Sequence, residues 1–170
     1  KELEHIKGPI IGYIGGLHKH VDLSLLKYLA QTHPDWSIVL VGPEQTDISP
    51  IEDIPNVIFL GQKDFFDLPQ YLARFDVCII PYLISDYTKT VYPTKLNEYH
   101  IMGKPVVSTR LPGVVAFNEA NDNLVAIAGD YEEFSKLVAK ALEADDKKLV
   151  AKRAESARKN SWNERIEGMS

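Results

Sequence analysis

Five short runs of apolar residues, none alternating with polar ones, most constrain what this chain can fold into. They lie within residues 9–15, 36–42, 57–61, 76–81 and 105–109, and Ile10-Ile11-Gly12-Tyr13-Ile14 and Val77-Cys78-Ile79-Ile80 are typical. A strand with one wet face alternates, so runs of this kind predict strands buried on both faces. A sixth, weaker strand is expected at 123–127. Helical patterns lie between the runs. Residues 22–32 read as a helix capped by Asp22, with Leu23, Leu26, Leu29 and Ala30 as its inner stripe. Residues 67–75 read as a short helix that tolerates Pro69 in its first turn. Asp130 caps a helix whose inner face is Phe134, Leu137, Val138 and Leu142, and a highly charged helix is expected at about 145–160. Residues 43–55 read as a polar loop and Leu111-Pro112-Gly113 as a turn. Strands alternating with helices imply an α/β fold, a doubly wound, Rossmann-like parallel sheet of about six strands with helices on both faces. The expected strand order is 3-2-1-4-5-6, with a ligand bound at the crossover.

The totals narrow the partners. A length of 170 residues suits one domain, 1–170. A net charge of -5 disfavours a nucleic-acid groove. The single cysteine, Cys78, sits among apolar residues and reads as a buried thiol in a reducing compartment. No apolar run reaches the roughly 18–20 residues of a membrane span. The chain begins at Lys1, and Gly8-Pro9 leads directly into a strand, so the expectation is an excised domain whose preceding part is missing.

The chemistry concentrates in Tyr92-Pro93-Thr94-Lys95-Leu96-Asn97-Glu98-Tyr99-His100-Ile101-Met102-Gly103-Lys104-Pro105-Val106-Val107-Ser108. Pro93 suits the first position of a helix, Thr94 can cap it, and Gly103 can end it. A helix start gathers unpaired N–H groups and favours an anion such as phosphate. Glu98, one turn on, could accept hydrogen bonds from sugar hydroxyls; the alternative is a solvated helix residue. Lys95 opposes the dipole preference of a first turn, which points to an anion nearby, or else to a lysine extended into solvent. Gly15 and Gly16 follow the first strand, where glycines permit close approach of a phosphate or simply a tight turn. Lys19 and Lys89 are weaker candidates for neutralising a diphosphate. His18 and His20 could touch phosphate but read more readily as surface loop residues, and His100 reads as structural. No zinc motif, P-loop or Gly-x-Ser-x-Gly elbow is present.

The segment 93–108 resembles the donor-site signature of the family 4 (group 1) glycosyltransferases with the GT-B fold. Gly12-Tyr13-Ile14-Gly15-Gly16, Pro34 to Pro43, Asn56 to Gly61, Leu68-Pro69 through Asp76-Val77, Ile80-Pro81 and Ser161-Trp162 fall in that family's order. The resemblance is to the second domain, one half of a GT-B fold, and to the bacterial branch that builds cell-surface polysaccharides. It implies the nucleotide-sugar donor domain of a retaining glycosyltransferase acting on a polysaccharide or glycolipid acceptor. The donor would be UDP- or GDP-linked, with no bound metal and no other cofactor. Glu98 would hold the ribose hydroxyls and the backbone of Thr94, Lys95 and Leu96, after Pro93, would lie near the diphosphate. Gly61 would meet the base edge and Gly15-Gly16 would admit the phosphates. The family's earlier glutamate is Thr90 here, and its usual arginine after the first-strand glycine is Gly16. The resemblance further implies an N-terminal acceptor domain supplying the catalytic group, and residues 161–170 as the start of a crossover helix with a loosely packed end. It also implies a cytoplasmic setting, with peripheral membrane contact through the missing domain. By itself the domain should bind donor weakly and turn nothing over. The alternatives are a nucleotide-sugar epimerase domain and a non-catalytic interaction module of the same fold.

Overall fold

The structure, a computed structural model, describes residues 2–92, 94–143 and 147–169, with side chains as far as Asn160. In chain order the elements are β1 (Ile10–Ile14), α1 (Leu23–Thr32), β2 (Ser37–Val41), α2 (Ser49–Glu52), β3 (Val57–Gly61), α3 (Leu68–Arg74) and β4 (Val77–Ile80). Then follow α4 (Lys95–Ile101), β5 (Val106–Thr109), α5 (Pro112–Ala120), β6 (Ala126–Ala128), α6 (Tyr131–Glu143) and α7 (Lys147–Met169). The strands form one sheet in the order β3-β2-β1-β4-β5-β6, parallel throughout. This is the predicted doubly wound fold. Every residue of β1, β2 and β4 is buried, as runs without polar alternation require.

Local chemistry sets the element ends. The Asp22 carboxylate accepts the Leu25 N–H at 3.1 Å and caps α1, and it also accepts the Tyr131 hydroxyl at 2.7 and 2.8 Å, tying α1 to α6. The inner stripe of α1 is Leu25, Leu26, Leu29 and Ala30; Leu23 is only half-buried. Asp130 accepts the Glu133 N–H at 2.8 Å at the start of α6, whose buried face carries Phe134, Ser135 and Val138.

On the other side, α7 lies along α4. Gly103 makes that possible twice over. Its φ of +72° belongs to the left-handed region, and a Cβ there would stand 2.5 Å from Val150 Cγ1 of α7. Arg153 of α7 donates to the Gly103 carbonyl at 3.0 Å. His100 is completely buried between these elements, with its ring 5.5 Å from that of Phe117.

Three expectations need correction. Leu111-Pro112-Gly113 is not a turn: Pro112 opens α5, where its fixed φ and missing N–H suit a first helical turn, and Val114, Phe117 and Asn118 bury its inner face. The polar loop at 43–55 contains α2. The charged helix does not close near residue 160 but runs through Met169. The packing of Trp162 and Ile166 and the placing of Pro93 lie outside the described residues.

Candidate functional site

At the carboxyl edge of the sheet, β1 and β4 are neighbours whose following chains lead to opposite halves of the fold. That divergence leaves a crevice. Two loops meet across it. The loop after β1 and the loop after β4 are joined by Asp22 N–H to Pro81 carbonyl (2.8 Å), Leu83 N–H to His20 carbonyl (2.8 Å) and an antiparallel bridge between Val21 and Tyr82. The His20 ring stacks on Tyr87, centroids 4.3 Å apart, and His18 leans on Tyr82 at 5.4 Å. Within the second loop the buried Thr88 hydroxyl accepts the Ser85 N–H at 2.8 Å and donates to the Leu83 carbonyl at 2.6 Å, which shapes the return to α4.

The glycine turn is built by backbone contacts that exclude side chains. Gly15 N–H donates to the Val41 carbonyl at 2.9 Å, and a Cβ on Gly42 would fall 1.8 Å from the Gly15 carbonyl oxygen. A side chain on Gly16 would meet Gln45, whose Oε1 lies 2.2 Å from the Cβ position. From beneath, the buried Tyr13 hydroxyl donates to the Gly16 carbonyl at 2.9 Å. The Tyr99 hydroxyl accepts the Ile14 N–H at 3.0 Å and donates to the Ile79 carbonyl at 3.2 Å, pinning α4 to β1 and β4.

Lys95 enters this floor from α4. Its ammonium donates to the Tyr82 hydroxyl and lies 4.7 Å from the Tyr82 ring centroid and 5.4 Å from that of Tyr13. Its Cε stands 3.0 Å from where a Cβ on Gly15 would be. Burial, and then the positive charge of Lys95, push the His18 imidazole below its ordinary value.

Beside this cluster opens a cavity of about 480 Å3 lined by His18, Lys19, His20, Gln45, Tyr82, Tyr87, Thr88 and Val91; Gly15, Gly16 and Lys95 do not line it. A larger concavity of about 1060 Å3 lies at the opposite, amino edge of the sheet, beside Trp36, Asn56 and Ile58. Lys7, Asp35 and Asp53 also line it, and Asn56 Nδ2 is already within 2.9–3.1 Å of three carbonyls there, those of Trp36, Ala30 and His33. The convergence of the glycine turn, Lys95 and the two aromatic loops makes the carboxyl edge the candidate site.

The predicted site residues are brought together unequally. Gly15, Gly16 and Lys95 converge, and Lys19 lines the cavity. Thr94 is exposed and makes no side-chain capping bond, contrary to the expected role. Leu96 is fully buried beneath α4 and holds the helix to the core. Glu98 is exposed one turn into α4 and does not line the cavity; partial burial raises its carboxyl, and the charge of Lys95 opposes that shift. Thr90 is exposed, its hydroxyl donating to the Tyr87 carbonyl at 2.8 Å. Gly61 ends edge strand β3 with φ +74°, exposed, its carbonyl accepting the Gly42 N–H at 2.9 Å. Tyr13 and Gln45 were not foreseen. A hydroxyl inside the otherwise apolar run 10–14 was the available signal for Tyr13, because a buried phenol needs a partner. Among the described residues no group of three or more His, Cys, Asp or Glu side chains could hold a metal ion, and no helix is long and apolar enough to cross a membrane.

Comparison with known proteins agrees with this fold. Over 114 residues the chain is 40% identical to a Bacillus subtilis (strain 168) protein named as a candidate teichuronic acid biosynthesis glycosyltransferase, TuaH; the match covers 65% of this chain and 29% of that one. Among solved structures, Anabaena Alr3699/HepE in complex with UDP-glucose superposes with a TM-score of 0.67 at 22% identity, over 88% of this chain and 43% of that one. The C-terminal domain of the group 1 glycosyl transferase LpcC from Francisella tularensis superposes with a TM-score of 0.62 at 17% identity, over 92% of this chain and 86% of that one. The chain thus spans under half the length of TuaH and HepE. The family model described as "Glycosyl transferases group 1" matches residues 8–144, and this chain belongs to that family.

Proposed function

We propose that residues 1–170 are the nucleotide-sugar-binding half of a retaining glycosyltransferase that transfers a sugar to a polysaccharide or glycolipid acceptor, with the acceptor-side catalytic group on a second domain. The observation that carries this reading is the convergence of the bare Gly15-Gly16 turn and the Lys95 ammonium at the crossover of the sheet. A nucleoside diphosphate lying along the turn meets glycine backbone together with the side chains of Gln45 and Lys95 that pack against it. The negative charge that grows on it as the sugar departs is offset by Lys95, with Lys19 at the cavity rim. Gly61 borders the base, Glu98 takes the ribose hydroxyls, and the backbone of Thr94, Lys95 and Leu96 lies toward the diphosphate. Thr90 stands toward the sugar. UDP is the first nucleotide to test, because the HepE complexes hold UDP or UDP-glucose. Nucleotide sugars of this kind place the enzyme in the cytoplasm, at the inner face of the membrane where glycolipid acceptors are assembled.

The test has two parts. Titration with UDP, GDP and ADP should show one preferred diphosphate, and Glu98→Ala should weaken it by about tenfold, the value of a charge-assisted hydrogen bond. Incubation of the full-length protein with the matching nucleotide sugar and a lipid-linked acceptor should release product with the donor's anomeric configuration. No affinity for any nucleoside diphosphate in a folded wild type would refute the proposal. The non-catalytic alternative draws on Gly16 and Thr90, and retained nucleotide affinity argues against it.

A further inference from the structure

Lys95 is held in a manner that an ordinary surface lysine does not need. Ion pairs among the described residues join Lys63 to Glu2 and Lys136 to Glu132; none involves Lys95. Glu98, on the same helix, feels the charge of Lys95 but is not within ion-pair distance. The ammonium is instead fixed by neutral groups: the Tyr82 hydroxyl accepts one proton, and the faces of Tyr82 and Tyr13 lie 4.7 and 5.4 Å away. Contacts of this kind hold a cation in place without cancelling its charge. Both rings are themselves fixed. Tyr13 is fully buried with its hydroxyl bonded to the Gly16 carbonyl, and Tyr82 is buried within the bridge to Val21.

The glycine turn, for its part, offers no cation. Positions 15, 16 and 17 are Gly, Gly and Leu, and the space beside Gly16 is filled by Gln45. Burial and the charge of Lys95 disfavour a charged ring on the nearby His18. Lys19 and Lys89 are exposed and carry no such fixing contacts. The charge closest to the turn is therefore brought from α4, across the crevice, rather than from the loop itself.

We infer that Tyr82 and Tyr13 are positioning residues that fix the Lys95 ammonium against the Gly15-Gly16 turn, making it the cation that meets the diphosphate of the donor. This rests on the nucleotide-sugar reading above and adds to it which lysine does the neutralising and what keeps it there. Lys95 interacts with the diphosphate directly; the two tyrosines act only through Lys95. No bond is made or broken in this step.

The experiment is a double-mutant cycle on the full-length protein, using whichever of UDP, GDP and ADP the wild type binds most tightly, together with its parent nucleoside. Lys95→Met should weaken the diphosphate by about tenfold or more, the range of a charge-assisted contact, and leave the nucleoside unchanged. Tyr82→Phe, which keeps the ring and removes the hydroxyl, should weaken it by about threefold, with no change in melting temperature. Combined with Lys95→Met it should add nothing. The salt dependence of diphosphate binding should fall in Lys95→Met. Additive losses, equal losses for nucleoside and diphosphate, or unchanged binding in Lys95→Met would each overturn the inference while leaving the donor-domain proposal standing. Failure of the wild type to bind any of the three diphosphates would overturn both.

Discussion

His100 should make this protein acid-sensitive in a way that a single substitution removes. Its side chain is fully buried, and neither ring nitrogen has a hydrogen-bond partner among the described residues. Burial, aided by the positive charge of Arg153, pushes the imidazole from 6.5 down to about 3. In the unfolded chain the ring titrates near 6.5. Because the folded value is the lower one, the unfolded chain binds the extra proton first. The neutral ring therefore imposes no acid penalty above pH 6.5, and stability is lost steadily as pH falls from there toward 3. Each pH unit in that window is worth about 1.4 kcal/mol, so the His100 contribution at pH 5 is a loss of about 2 kcal/mol relative to pH 7. His100→Leu fills a similar space with no polar atom. It should raise stability at pH 7 by about 1 kcal/mol, since a buried imidazole without partners carries a desolvation penalty of that order. It should also flatten the curve between pH 6.5 and 5. Urea unfolding of both proteins at half-unit pH steps measures this, and their difference isolates His100 from the carboxylates that titrate lower. Parallel curves from pH 7 to 5 would refute the reasoning, because a ring that reached water or found an acceptor would produce them.

Other expectations follow from single contacts. Gly103→Ala combines a left-handed backbone with a Cβ 2.5 Å from Val150 Cγ1, and should cost about 2–4 kcal/mol by chemical denaturation, with α7 loosened from α4. Asp22→Ala removes both the α1 cap and the acceptor of the Tyr131 hydroxyl, for a loss of about 1–2 kcal/mol; Asp22→Asn, which can still cap, should recover most of it. Glu98 is exposed and accepts no hydrogen bond from the described residues, so Glu98→Ala should leave the melting temperature unchanged while it weakens nucleotide binding. A joint loss of stability and affinity would instead make Glu98 structural.

Much of the architecture was legible because it depends on local pattern. Unbroken apolar runs mark strands buried on two faces, and their alternation with amphipathic stretches leaves few right-handed topologies. Asp22 and Asp130 were readable as caps because one short acidic side chain before an apolar stripe serves that purpose. The α5 helix was hidden by its own opening, since Pro-Gly marks a turn as readily as it starts a helix. Leu23 and Leu25 could not be ranked by spacing alone, because the angle at which α1 meets the sheet decides which one is buried.

The site divides along the same line. Single-chain reading could find Gly15, Gly16, Lys95 and Glu98 as residue types suited to phosphate and hydroxyls, and place them near strand ends. It could not find Tyr13 and Tyr82, which stand 69 residues apart in the chain and matter only through the ammonium between them. The sequence by itself determined the sheet and its order, because these follow from hydrophobic period and chain connectivity. Only the tertiary structure decided which cation reaches the glycine turn and what holds it, because ring faces and hydroxyls act over a few ångströms, and such distances arise only when β1, β4 and α4 are packed together.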